Sequence, residues 1–161
     1  MTAENPEGRT DAASRLIHAS PERIYEAFAD GATLMQWLPP RGMTGRALEY
    51  QFEEGGHYRI ELRYGDETQS SGKTTERTDV TKGRFVQLVA GRRIRQTVEF
   101  ESDDTALSRA MTMTWTFDPA PHGTLVAVTA ENVPAAIGKE DHDEGLSSSL
   151  EHLAAFVERR D

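Results

Sequence analysis

The chain has 161 residues, 37% of them hydrophobic and 28% charged, with a formal net charge of −9 and no cysteine. That length supports one domain built around a single sizeable core. The acidic balance argues against a nucleic-acid or anionic-membrane surface, and the lack of cysteine excludes a disulfide framework, a thiolate metal site and a thiol nucleophile.

No stretch approaches the roughly 18 consecutive apolar residues of a membrane span. The N-terminus is polar and has no apolar segment of a secretory leader, so the expected location is cytoplasmic. Residues 1–11 lack periodicity and read as a flexible tail, leaving residues 12–160 as a single domain. Ala12 to Ala19, with Leu16 and Ile17, reads as a first strand. Ser20-Pro21-Glu22 then marks a helix start, with Ser20 as N-cap, Pro21 at the first helical position and Glu22 favoured by the helix dipole. A second short helix is expected from Gly31 to Leu38, capped by Asp30 and stopped by Pro39-Pro40.

From Gly45 the period changes to two. Leu48, Tyr50 and Phe52 alternate with polar or small residues, and Glu54-Gly55-Gly56 supplies a turn. Tyr58, Ile60, Leu62 and Tyr64 alternate with Arg59, Glu61 and Arg63, the mark of a hairpin with one buried face. Gly65 to Asp79 has no large apolar residue and reads as an exposed loop or a polar hairpin extension. Val80 to Val89 forms the next strand. Ile94, Gln96, Val98 and Phe100 make the inner row after it, and Met111, Met113, Trp115 and Phe117 the inner row of the following one, opposite Thr112, Thr114 and Thr116. Val126, Val128 and Ala130 take the inner side of the last strand.

Asp141 to Arg160 has helical periodicity. Leu146, Leu150, Leu153 and Val157 recur on one face, and Asp141 and Glu144 have capping-box spacing. A long amphipathic helix closing a mostly antiparallel chain must bury its stripe on the sheet. The fold class is therefore α+β.

Several pieces resemble the START-like, helix-grip superfamily (the SRPBCC or birch-pollen-allergen fold), and within it the branch named for the activator of the heat-shock protein 90 ATPase. They are Ala19-Ser-Pro-Glu-Arg-Ile-Tyr-Glu-Ala-Phe28, Leu34-Met-Gln-Trp-Leu-Pro39, Gly55-Gly-His-Tyr-Arg-Ile60, Gly83-Arg-Phe-Val-Gln-Leu88, Met111-Thr-Met-Thr-Trp115 and Glu131-Asn-Val-Pro134. Asp141-His-Asp-Glu-Gly145 and Ser149-Leu-Glu-His-Leu-Ala154 complete the set. The resemblance implies a curved antiparallel sheet gripping the C-terminal helix, with two short helices after the first strand. It also implies a cavity between sheet and helix that holds an apolar or amphipathic small molecule. Family members that stimulate the chaperone usually carry a separate N-terminal chaperone-binding domain. The branch often has Trp-Trp where this chain has Trp37-Leu38.

Alternation places Tyr58, Ile60, Leu62, Gln96, Val98, Met113, Trp115, Val128 and Ala130 on the concave face. Each of them could simply be core. As a set they form a mixed lining of the kind small-ligand sites use, with methionine able to follow an irregular ligand and Trp115 and Gln96 each needing a hydrogen-bond partner. Leu146 and Leu150 face them from the helix. Trp37, before the two prolines, is expected near a cavity entrance on a stiff flap. His142 is expected at the cavity mouth or in solvent. The five histidines lack metal-ligand spacing, so no metal and no cofactor is expected. Nucleotide-loop and hydrolase motifs are absent. Arg92, Arg93 and Arg95 read as a solvated edge or a partner-binding patch.

Binding of a small hydrophobic molecule is thus the leading expectation. A protein-interaction module of the chaperone-activator kind, and a cyclase or hydrolase using the same cavity, are the alternatives.

Overall fold

A computed structural model describes residues 8–65, 74–75 and 77–159. Residues 1–7 of the expected tail, and most of the expected loop after Gly65, lie outside the described residues. The elements run β1 (Arg9–Ile17), α1 (Pro21–Glu26), α2 (Gly31–Leu34), β2 (Met43–Tyr50), β3 (His57–Tyr64), β4 (Thr78–Val89), β5 (Arg93–Phe100), β6 (Met111–Ala120), β7 (Gly123–Val133) and α3 (Lys139–Glu158). The strands form one antiparallel sheet in the order β1-β7-β6-β5-β4-β3-β2. It curves around α3, giving the helix-grip α+β fold.

Local chemistry accounts for the short helices. Ser20 Oγ accepts from Arg23 N at 3.1 Å and Pro21 opens α1. Asp30 Oδ2 accepts from Thr33 N at 3.1 Å, capping α2. That helix is only four residues long, shorter than the sequence pattern predicts, and Trp37 lies in the turn beyond it.

The inner rows follow from strict alternation, with one correction. The register of β2 against β3 shifts between Ala47 and Glu49. Ala47 therefore lies opposite Ile60 on the inner side, while Leu48 is displaced outward and is 40% exposed. A bulge resets which side of a strand its residues face, and period-two reading cannot detect it.

The stripe on α3 is buried as expected: Leu146, Leu150, Leu153 and Val157 belong to one core with Val126, Val128, Phe117 and Ile94. The helix, however, starts at Lys139 behind Gly138, with no side-chain cap bond. The Asp141–Glu144 capping box does not form, because both residues already lie inside the helix. Asp141 suits the dipole from the first turn, and Glu144 reaches Arg41 at 3.1 Å. β1 begins at Arg9, earlier than the first-strand pattern suggests, so Asp11 sits in the sheet and is wholly buried.

Candidate functional site

The concave face divides into a sealed part and an accessible part. The sealed part is aromatic. Phe28 meets Trp37 at 4.9 Å, Trp115 at 5.0 Å and Phe117 at 5.5 Å between ring centroids, all edge-on, and Trp37 meets Trp115 at 6.0 Å. Edge-to-face rings fill space densely and add to the area term. Trp37 is only 1% exposed and its Nε1 donates to Ala27 O at 3.0 Å. The side chain is thus a core anchor and not part of a solvent-facing rim. Ile60, Val98, Trp115, Val128, Ala130 and Leu150 are also buried.

The backbone after Trp37 is strapped to α3. Ser149 Oγ donates to Leu38 O at 2.7 Å, and His152 Nδ1 lies 3.2 Å from Trp37 O and 3.0 Å from Pro39 O. Arg41 N donates to Ser148 Oγ at 3.2 Å, while its guanidinium bridges Glu144 and Glu151. Two carbonyls facing Nδ1 require that nitrogen to carry a hydrogen. A surface groove of about 500 Å³ runs beside this strap, between Met35, Pro39, Pro40, Met43 and His152.

Other inner-row positions are only partly covered. Leu62, Gln96 and Met113 occupy inner-row positions yet remain half-buried, whereas Ala130, the partner of Met113 in β7, is fully buried. Gln96 and Met113 are directly opposed in the β5–β6 register. One polar cluster interrupts this apolar wall. The Tyr58 hydroxyl donates to the carbonyl of Thr97, the residue after Gln96. Burial pushes the Tyr58 phenol above its ordinary range, so the hydroxyl keeps its proton. Gly83 makes the arrangement possible. It pairs with Tyr58, and a Cβ there would lie 1.9 Å from Thr97 O.

Two carboxylates escaped the sequence reading. Asp79 belongs to β4 rather than to a loop. It pairs with Leu62, is buried, and accepts from Tyr64 Oη at 3.2 Å. Asp11 receives both Arg9 Nε at 2.9 Å and Arg9 Nη2 at 2.8 Å, together with Lys139 Nζ at 3.3 Å. His142 Nδ1 lies 2.8 Å from its other side, so His142 joins β1 to the start of α3 instead of lying free in solvent. Nothing local marked either acid, since burial came from pairing partners far along the chain.

The Gln96 amide is the polar side chain on an inner row otherwise made of Ile94, Val98 and Phe100. Among the described residues no three of His, Cys, Asp or Glu converge as a metal site, and no helix is long and apolar enough to cross a membrane.

The sequence profile of the Activator of Hsp90 ATPase homolog 1-like proteins matches residues 18–158. The chain belongs to this family. Within the family fold, a protein from Chromobacterium violaceum superposes with a TM-score of 0.82 at 36% identity, over 94% of this chain and 98% of that one. Proteins from Mycobacterium smegmatis and Arthrobacter aurescens share the fold at 15% identity, with TM-scores of 0.75 and 0.77. They cover 98% and 96% of this chain, and 95% and 89% of their own. No curated protein matches in sequence. The family and its fold support a ligand-binding or interaction module in general terms.

Proposed function

We propose that this family member binds a small hydrophobic or amphipathic molecule between the sheet and α3, against the inner-row pair Gln96 and Met113. One observation carries the reading. Gln96 and Met113 stay half-buried, while Val98, Trp115, Val128 and Ala130 around them on the same face are buried. Apolar surface facing inward and still reachable is the usual ground for small-ligand sites. The Gln96 amide gives such a surface a single point of polar recognition. The amide carries both donor and acceptor groups.

Native mass spectrometry of freshly purified protein tests this directly, by revealing a co-purified small molecule. Displacement of an environment-sensitive apolar dye by long-chain alcohols provides the solution counterpart. Protein that carries no adduct and binds neither dye nor alcohol would count against the reading.

A further inference from the structure

The outer face of the β4–β5 hairpin carries a feature that ligand binding does not use. Arg84, Arg92, Arg93 and Arg95 are all exposed there, on a chain whose net charge is −9. Their neutralisation is slight. Arg95 lies 3.8 Å from Glu131, and Arg93 donates to the neutral Gln87 at 3.2 Å. Among the described residues no carboxylate pairs with Arg84, Arg92 or Arg93. The nearby acids are engaged elsewhere or stand back. Glu54 accepts from Leu88 N at 3.0 Å, and the Glu22 carboxylate faces Gly91.

Two apolar residues share the face. Val86 is 50% exposed and Val89 is 39% exposed. The register sets Val89 opposite Arg93 and Gln87 opposite Arg95, so a valine of β4 stands directly beside the cationic row of β5. The shift in register between Phe85 and Gln87 places Val86 outward. By contrast, Arg46 of β2 is paired with Glu61 at 3.1 Å and Arg59 of β3 with Glu101 at 2.7 Å.

We infer that this face is a docking surface for an acidic protein segment that also carries apolar residues. Uncompensated arginines offer fork-shaped donors to carboxylates, and arginine beside exposed apolar side chains is the composition of interface hot spots. Nucleic acid fits less well. The valines have nothing to meet on a phosphate backbone, and the rest of this acidic molecule repels an extended polyanion. Opposite charge would steer the partner to this end of the sheet, while the valines would hold it after contact.

The inference is independent of the ligand reading and is tested separately, by fluorescence anisotropy on the intact chain. The probe is a labelled peptide with glutamate and leucine at helical spacing, compared with the same peptide bearing lysine for glutamate and with a labelled DNA duplex. The glutamate–leucine peptide should bind saturably and release as salt rises. Arg93→Glu with Arg95→Glu should weaken it by about tenfold or more. Val86→Asp should weaken it too. Arg84→Gln with Arg92→Gln, which leaves the strand pairing untouched, should give a smaller loss. Thermal melting would verify that each variant is folded. Equal binding by wild type and the Arg93/Arg95 variant, no binding by wild type, or preference for the lysine peptide or the duplex would each overturn the proposal.

Discussion

Nδ1 of His142 and Oδ2 of Asp11 lie 2.8 Å apart across 131 positions of sequence, tying the first strand to the first turns of the last helix. Asp11 is completely buried, and its carboxylate is shared among Arg9, Lys139 and His142. Arg9 Nη2 also donates to Ile137 O at 2.8 Å, so the cluster fixes the approach to α3 as well as its start.

Asp11→Asn should therefore destabilise the protein by about 2 kcal/mol. That is less than the ~3–5 kcal/mol of a fully buried pair, because Arg9 and Lys139 keep contact with water. Burial, the largest single influence on Asp11, would raise its pKa, but the hydrogen bonds from Arg9, His142 and Lys139 outweigh it. They hold the carboxyl well below the usual carboxylate range. With a depressed folded-state pKa, the contribution is complete above the unfolded value of about 4 and fades as pH falls through the folded value. Urea midpoints of wild type and Asp11→Asn should thus differ at neutral pH and converge in acid. A gap that stays constant to strongly acidic pH would disprove the assignment.

Leu150 is 2% exposed at the centre of the α3 stripe. Replacing it with Ala should cost about 2–5 kcal/mol, the range for a leucine whose surroundings cannot collapse into the space left. Chemical denaturation measures the loss directly. A change below about 1 kcal/mol would mean that α3 is not gripped as described.

The rows on β3, β5, β6 and β7 and the stripe on α3 were readable because each repeats a period that burial imposes. A slip of one residue would bury Thr112, Thr114 and Thr116 and expose Met113 and Trp115. Legibility ended where burial is decided by distant chain. Asp11 and Asp79 look like tail and loop until β7 and β3 pair with them. Leu48 looked inward until the β2–β3 bulge turned it out. The Trp37–Arg41 segment has no period at all, and its position depends on Ser148, Ser149 and His152 more than a hundred residues away. The concave wall was likewise readable as a set of positions, but which of them stay accessible depends on how the aromatic cluster fills one end.

Trp37→Phe separates packing from gating at that cluster. The indole N–H satisfies Ala27 O and the ring touches Phe28 and Trp115. Loss of volume and of the hydrogen bond should cost about 2–4 kcal/mol. Trp115 is buried as well, so wild-type emission should be blue-shifted and protected from acrylamide. Ready quenching of the Trp37 component would show that the side chain faces solvent.

Gln96→Leu addresses the polar point on the wall. The Tyr58 hydroxyl would keep its donation to Thr97 O, so the polar atom left behind still has a partner and the core is not compromised. The expected change in stability is within about 1 kcal/mol. Ligand behaviour should change more. An amide beside Met113 offers recognition to a hydroxyl or carbonyl, and leucine does not. In dye displacement, a long-chain alcohol should lose its advantage over the alkane of equal length, while the alkane binds as before. If alcohol and alkane keep the wild-type ratio in Gln96→Leu, the amide takes no part in recognition, which must then come from another part of the wall.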